Sequence, residues 1–391
     1  MRKVLGLAVS LVVLSMLSAL QISCTDKDPY VDPEEGNSGG TNGKDTAATL
    51  IAVGTVAADY SAANFEIISA GDSAAVNKNL IPDLYTDIVV RAFNGDVYIL
   101  ERMGSDKVIK YSNGAVAYEE LLGAGLNIQD IAVVSAAKAY ISSYQTSDLI
   151  VFNPTTGKKT STTISLEKFN TYAGTDSAET TPFASALAVY GDYVYVACQR
   201  LKTVEETWGS SFVPADTSLI VVIDTRADTV FTAIKLNKKN PAAMDVFQKR
   251  LLVSSPGDWY DAATGGVEQI DLTSNTNQGV KVEGSAFGGS VTSLVSVSLD
   301  KVFISRMGAD WNTEIVPFNP AAGTVGEKIM GIVDGFGGLA YDGSKLYVGE
   351  RGLEQNGVHV IDPNQSGVAL TAARMIATDM PPSSIAVISA K

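Results

Sequence analysis

The stretch Tyr341 to Pro363, YDGSKLYVGERGLEQNGVHVIDP, decides how the rest of the chain is read. Asp342-Gly343 makes a turn, and Lys345 to Gly349 is a short run of strand formers. Glu350 to Asn356 is a polar loop, and Gly357 to Ile361 is a second strand stopped by Asp362-Pro363. A strand, loop, strand unit that repeats at a fixed spacing sets the architecture of a whole chain.

The unit does repeat. From Ala47 onward short β-rich runs alternate with Gly, Asn, Asp and Pro turns, and no stretch keeps a long helical period. Leu346 to Gly349 recurs as Asp96 to Leu100, Ala139 to Ser142, Tyr193 to Ala197, Leu251 to Ser254 and Val302 to Ser305. Val358 to Asp362 recurs as Val108 to Tyr111, Leu149 to Asn153, Ile220 to Asp224, Glu268 to Asp271 and Ile315 to Asn319. Several copies of the latter close alike, as Asn153-Pro154, Asp224-Thr225, Asn319-Pro320 and Asp362-Pro363, where an Asn or Asp bonds its own backbone and turns the chain. A further strand precedes each pair, such as Ala243 to Phe247 or Leu339 to Tyr341, and a fourth follows, such as Thr160 to Leu166 or Thr229 to Leu236. Four antiparallel strands at a period of about 40 to 57 residues is the pattern of a β-propeller blade.

The ends of the repeat set its count. Leu50 to Ala57, Phe65 to Ser69 and Ala75 to Ile81 read as second, third and fourth strands with no first strand before them. Ser384 to Ser389 reads as a first strand with nothing after it. Joined, they make a seventh blade shared by the N- and C-terminal strands, which removes the open sheet edges that invite aggregation. The expectation is an all-β, seven-bladed propeller over residues 47–391, monomeric, with four antiparallel strands per blade.

Ahead of the repeat stands a different kind of sequence. Arg2 and Lys3 are followed by an apolar run from Val4 to Ile22, ended by Ser23-Cys24. Residues 1–23 resemble the signal peptide of a bacterial lipoprotein, in which Cys24 is lipidated and becomes the first residue. Gln21 stands where that family prefers leucine, and an uncleaved anchor or an ordinary secretory peptide shares the charged start and apolar run. Residues 24–46 are rich in Pro, Gly, Asp and Glu and cannot bury enough surface to fold. They read as a tether with a span of roughly 25 to 30 Å. The expected location is the cell envelope, with a lipid anchor in the outer membrane and the domain either periplasmic or surface-exposed.

The formal charge of −14 repels phosphate backbones, so nucleic acid is excluded as an expected partner. Cys24 and Cys198 are the only cysteines. A lipidated Cys24 leaves Cys198 without a partner, and Cys198 ends a strand pattern that makes it a small core residue.

The strand Val194-Tyr195-Val196-Ala197, continuing into Ile220-Val221-Val222-Ile223-Asp224-Thr225, resembles the repeats of YVTN-type seven-bladed propellers. That resemblance covers nearly all of the chain after the tether. It implies the fold and leaves the activity open, because the architecture hosts many unrelated functions.

In such a fold, the loops between second and third strands and those joining one blade to the next share a face around the channel. The sequence places Glu101, Arg102, Tyr144, Arg200, Trp259, Tyr260, Arg306, Trp311, Glu350 and Arg351 there, with Trp208. Trp, Tyr and Arg offer large contact area and directed hydrogen bonds, which makes these ten residues the candidate ligand-binding set. No catalytic residue or metal ligand is assigned, and no cofactor can be named. The single histidine, His359, aligns with Ile150, Val221 and Val316 in the middle of a third strand and so is expected to pack between blades, which argues against a His-based triad or a His-rich metal site.

Two functional readings follow. One is a non-enzymatic binding lipoprotein that captures a small molecule, a glycan or an envelope protein on the loop face, corrinoid capture being one example among proteins of this fold. The other is a hydrolase resembling the propeller lactonases, acting at the channel mouth. Those enzymes commonly use histidine or a metal there, and this sequence has no histidine placed for it.

Overall fold

The computed structural model describes residues 49–389 apart from 72–74, 172–180, 207–208, 215–216, 260, 309, 353, 366–369 and 373. The signal segment, Cys24, the tether, Trp208 and Tyr260 therefore lie outside the described residues.

Seven four-stranded antiparallel sheets follow one another round a ring. Blade 1 runs Ile88–Phe93, Asp96–Glu101, Lys107–Ser112 and Ala115–Leu121; blade 2 runs Ile128–Ser135, Lys138–Ser143, Asp148–Asn153 and Lys158–Ser165. Blade 3 is Ala184–Tyr190, Tyr193–Cys198, Leu219–Asp224 and Thr229–Lys235; blade 4 is Ala243–Phe247, Arg250–Ser255, Gly266–Asp271 and Thr276–Glu283. Blade 5 is Ser290–Ser296, Val302–Met307, Thr313–Asn319 and Thr324–Val325; blade 6 is Leu339–Tyr341, Leu346–Glu350, Gly357–Ile361 and Met375–Ala377. Blade 7 is the composite one: Leu50–Val56 pairs on one side with Ala63–Ser69 and on the other with the C-terminal Pro382–Ile388, and Ala75–Leu84 lies outermost. The three-to-one split of the closing blade is as the sequence implies.

The core is distributed between the blades. Middle strands such as Tyr193–Cys198 and Leu346–Glu350 are buried on both faces, because each sheet is sandwiched by two others. Outer strands such as Lys158–Ser165 face water along most of their length. Each junction has its own apolar cluster; between blades 3 and 4, for example, Tyr195 and Ile220 pack on Met244 and Leu251. Clusters of the same kind fill the 7/1, 2/3, 1/2, 4/5, 6/7 and 5/6 junctions, so apolar contact closes the ring.

Polar bolts recur on the same pattern. At the start of a second strand, a Tyr or Lys reaches the turn between third and fourth strands of the next blade. Lys138 Nζ of blade 2 donates to Thr225 O (2.9 Å) and pairs with Asp228, to which Tyr140 also donates. Tyr195 Oη of blade 3 donates to Asn275 Oδ1 (2.6 Å), and Lys301 Nζ beside blade 5 donates to Pro363 O (2.9 Å).

Along the channel the innermost strands are joined by side chains. Arg91 pairs with Asp130 (2.7 Å), whose other oxygen accepts Leu187 N–H (2.9 Å), linking blades 1, 2 and 3. Ser384 Oγ accepts Val90 N–H (3.0 Å), and Asp245 accepts Ser296 N–H (2.8 Å). These bonds satisfy backbone groups that no neighbouring strand reaches.

Candidate functional site

The face that carries the loops between second and third strands also carries the loops joining consecutive blades. Its geometry is set largely by buried carboxylates that pin those inter-blade loops. Glu350, at the end of a second strand, accepts Val333 N–H and Asp334 N–H (both 2.8 Å) from the loop leading into its own blade, and Gly352 N–H (2.9 Å). Glu101 accepts Tyr85 N–H (2.9 Å) and Ser105 Oγ–H (2.6 Å) and pairs with Lys107 (3.1 Å). Glu268 accepts Asn237 N–H (2.8 Å) and Lys238 N–H (2.6 Å), and Glu66 accepts Asp379 N–H (3.0 Å). One device therefore recurs in blades 1, 4, 6 and 7: a carboxylate substitutes for water at loop N–H groups that folding has buried.

Two of the candidate arginines serve the same loops. Arg102, only 2% exposed, donates through Nε to Asp87 (2.9 Å), pairs with it through Nη2 and reaches Gln129 Oε1 at 3.4 Å. Arg306 pairs with Glu314 (2.5 Å) and donates to the Phe287 carbonyl. The repeated Arg-Met-Gly pattern at Arg102 and Arg306 is thus a clamp on the loop entering each blade. The aspartates that follow diverge: Asp106 is buried and accepts Leu126 N–H (2.9 Å) and Ile128 N–H (3.0 Å), whereas Asp310 is exposed and caps its own turn at Asn312. Arg200 likewise donates to two loop carbonyls, Thr217 O (2.9 Å) and Asn170 O (3.1 Å).

The aromatic candidates gather in two places. Over blades 2 to 4, Tyr144, Phe183 and Leu201 form an apolar cluster joined by Phe212 and Trp259. The Phe183 ring packs edge-on or tilted at 5.6 Å against both Tyr144 and Phe212, and burial pushes the Tyr144 phenol well above its ordinary range. Phe212 stands on a hairpin, Leu201–Glu206 with Gly209–Pro214, inserted between the second and third strands of blade 3. Phe183 holds a left-handed backbone (φ 52°), an uncommon conformation for a bulky residue that costs about 1–3 kcal/mol. Below this cluster three buried polar atoms, Asn240 Oδ1, Ser255 Oγ and Trp259 Nε1, have no hydrogen-bond partner among the described residues.

The second gathering spans blades 5 to 7 and reaches blade 1. The Arg351 guanidinium lies 5.2 Å from the Phe336 ring and 6.0 Å from the Tyr60 ring. Trp311 is 42% exposed, Val333 58% and Tyr85 44%, all on loops of this face. Val333 comes onto the surface with the inter-blade loop before blade 6, and Tyr60 stands on the loop between the second and third strands of blade 7.

His359 is buried on the third strand of blade 6, its Nε2 3.3 Å from Glu350 Oε2. Among the described residues no three His, Cys, Asp or Glu side chains converge as metal ligands. Cys198 is wholly buried, and burial pushes its thiol up to about 12.

These features define a seven-bladed β-propeller with an aromatic loop face. No protein-family model matches the chain, and no curated protein matches it. Among solved structures, a candidate 6-phosphogluconolactonase of Bacteroides fragilis is similar at TM-score 0.58 and 12% identity, covering 89% of this chain and 100% of that one. Apo AztD from Citrobacter koseri is similar at TM-score 0.50 and 11% identity, with the same coverage of both chains. The dihydro-haem d1 dehydrogenase NirN is similar at TM-score 0.51 and 13% identity, over 94% of this chain and 81% of its own. Likeness at this level of identity is likeness of fold, and the three names describe different proteins on one architecture.

Proposed function

We propose that the chain is a cell-envelope lipoprotein, anchored to the outer membrane through a lipid on Cys24, whose propeller captures a ligand on its loop face without transforming it. The observation that carries this reading is the division of labour on that face. Its buried carboxylates, Glu101, Glu350, Glu268 and Glu66, accept hydrogen bonds from inter-blade loops, while the rings of Trp311 and Tyr85 stand exposed. Exposed rings on such a face are a recognition surface, since apolar area left in water costs about 25 cal/mol per Å² that a bound partner recovers.

The ligand class that suits this surface best is a glycan. Ring faces at Trp259 and Trp311 match the apolar faces of sugars, and Trp259 Nε1–H is a neutral donor left without a partner among the described residues. Of the candidate set, Trp259, Trp311 and Arg351 make the contacts, with Tyr144 supporting Trp259. Arg102, Arg200, Arg306, Glu101 and Glu350 hold the loops that present them.

The test is a thermal-shift screen of the purified full chain against neutral oligosaccharides, corrinoids and 6-phosphogluconolactone, with lactone hydrolysis followed in parallel. Oligosaccharides that raise the melting temperature in the wild type and not in Trp311→Ala support the reading. Turnover of the lactone would replace it with the hydrolase reading. The anchor is tested by fatty-acid labelling in cells, which Cys24→Ser abolishes if Cys24 carries the lipid.

A further inference from the structure

The junction between blades 4 and 5 breaks the bolting pattern of its neighbours. Aligned on the second strand, Lys138, Arg250 and Lys301 occupy one position, and Tyr140, Leu252 and Phe303 occupy the position two residues on. Blade 2 uses both groups to grip the third-to-fourth turn of blade 3, and Lys301 grips the turn of blade 6 through Pro363 O. Blade 4 does neither. Leu252 has no hydroxyl, and Arg250 folds back onto the first-to-second loop of blade 5, donating to Leu299 O (2.5 Å), Ser298 O (3.2 Å) and Ser296 Oγ (3.3 Å).

The turn that a lysine or tyrosine would have reached, Pro320 to Gly323, is left standing away from blade 4. Between the two opens a cleft of about 440 Å³, lined by that turn, Arg250, Gln269, Val280, Lys281 and Leu299. It lies on the face opposite the aromatic loops. In a chain of net charge −14 its lining contains two cations and no acid.

No acid lines the cleft beside the two cations, and Asp245 and Asp300 act on Arg250 from outside it. Arg250 is 7% exposed, bonds only uncharged oxygens, and its Nε has no partner among the described residues. Among the described residues the Lys281 amine donates to Gln278 O alone (3.2 Å). Burial lowers Arg250 from its ordinary value more than the nearby Asp245 and Asp300 raise it, so the guanidinium is under-compensated, and a bound anion relieves that cost. The volume falls within the range of small-molecule pockets and is several times that of a single inorganic ion.

We propose that the cleft between blades 4 and 5 binds a small organic oxyanion, a carboxylate or phosphate ester, whose anionic group meets Arg250 and Lys281. This site is independent of the loop face and of what that face captures. The anion supplies the contact that Lys138 and Tyr140 supply at the blade 2/3 junction, tying Arg250 to the blade 5 turn.

Isothermal titration of the full chain with citrate and with glucose 6-phosphate, against glucose at matched ionic strength, tests it. Saturable 1:1 binding of either anion, with none of glucose, is the expected result, and the anion that binds identifies the carboxylate or phosphate class. Because Arg250 also holds the blade 5 loop, the informative variants are Lys281→Gln and Ala322→Glu, the latter placing a carboxylate on the exposed lining. Each is expected to weaken binding at least tenfold while the melting temperature of the free protein stays unchanged. No saturable binding of either anion, or binding that both variants leave intact, overturns the proposal.

Discussion

Replacing Glu350 tests whether the buried carboxylates hold the loop face together. The side chain is fully buried and its two oxygens accept three backbone N–H groups, those of Val333, Asp334 and Gly352, beside the His359 ring. Glu350→Ala strands all three. At about 1–3 kcal/mol for each buried donor left unpaired, and with the exposed Val333 segment free to rehydrate, the loss is about 3–5 kcal/mol. Glu350→Gln keeps one acceptor oxygen and turns an NH2 group toward the N–H donors on the other side, costing about 2 kcal/mol. The pH dependence follows from the carboxyl itself. Burial alone would raise it, but the bonds from His359, Val333, Asp334 and Gly352 outweigh burial and hold it below the ordinary glutamate value. Its contribution is therefore complete above about pH 4.3, the ordinary value in the unfolded chain, and is lost as pH falls through the lower folded value. Guanidinium unfolding of wild type, Glu350→Ala and Glu350→Gln at pH 7, and again at falling pH, reads both effects. A Glu350→Ala loss below about 1 kcal/mol at pH 7, or a Glu350→Gln gap that stays constant to pH 2, would refute the reasoning.

Three further outcomes follow from the same geometry. Asp130→Ala removes the counter-charge of Arg91 and the acceptor for Leu187 N–H in the channel, and is expected to cost about 3–5 kcal/mol in denaturant unfolding; Asp130→Ala with Arg91→Met should recover part of it. Tyr195→Phe removes the bond to Asn275 between blades 3 and 4 and should cost about 1 kcal/mol, measured the same way, with no effect on ligand capture. The Cys198 thiol, buried and pushed up to about 12, should resist Ellman's reagent in the native protein and react once the chain is unfolded; fast reaction under native conditions would show that the blade 3 interior is open.

The fold was legible because each blade repeats the same local chemistry. Ala243–Phe247 and Leu339–Tyr341 have the bounds that their β-rich runs suggest, and the Asn-Pro and Asp-Pro pairs stop third strands as turn chemistry requires. Outer strands were not legible. Thr324–Val325 has two residues and Ala75–Leu84 has ten, since an outer strand is fixed by packing on one side alone. The hairpin of Leu201–Glu206 and Gly209–Pro214 was hidden for a related reason, its polar sequence giving no strand pattern until Phe212 docks on Phe183.

The candidate site was half legible. Residue type located the face, because Trp, Tyr and Arg sit in the loops that the repeat brings together. It did not separate the residues that hold the face from those that present it. Glu101 and Arg102 read as contact residues until the loop N–H groups and Asp87 that occupy them come into view, and these arrive from the preceding inter-blade loop. Val333 owes its place on the face to that same folding of loops, whereas Tyr60 stands on the second-to-third-strand loop of blade 7.

The most direct measurement of the central claim is tryptophan emission during titration of the full chain with neutral oligosaccharides, since the two described tryptophans, Trp259 and Trp311, lie in loops of one face. A ligand that binds there is expected to shift the emission saturably, and Trp259→Ala with Trp311→Ala is expected to abolish both the shift and the binding measured by calorimetry. Calorimetric binding that leaves the emission unchanged and survives both substitutions would contradict the account, placing the ligand away from the aromatic face.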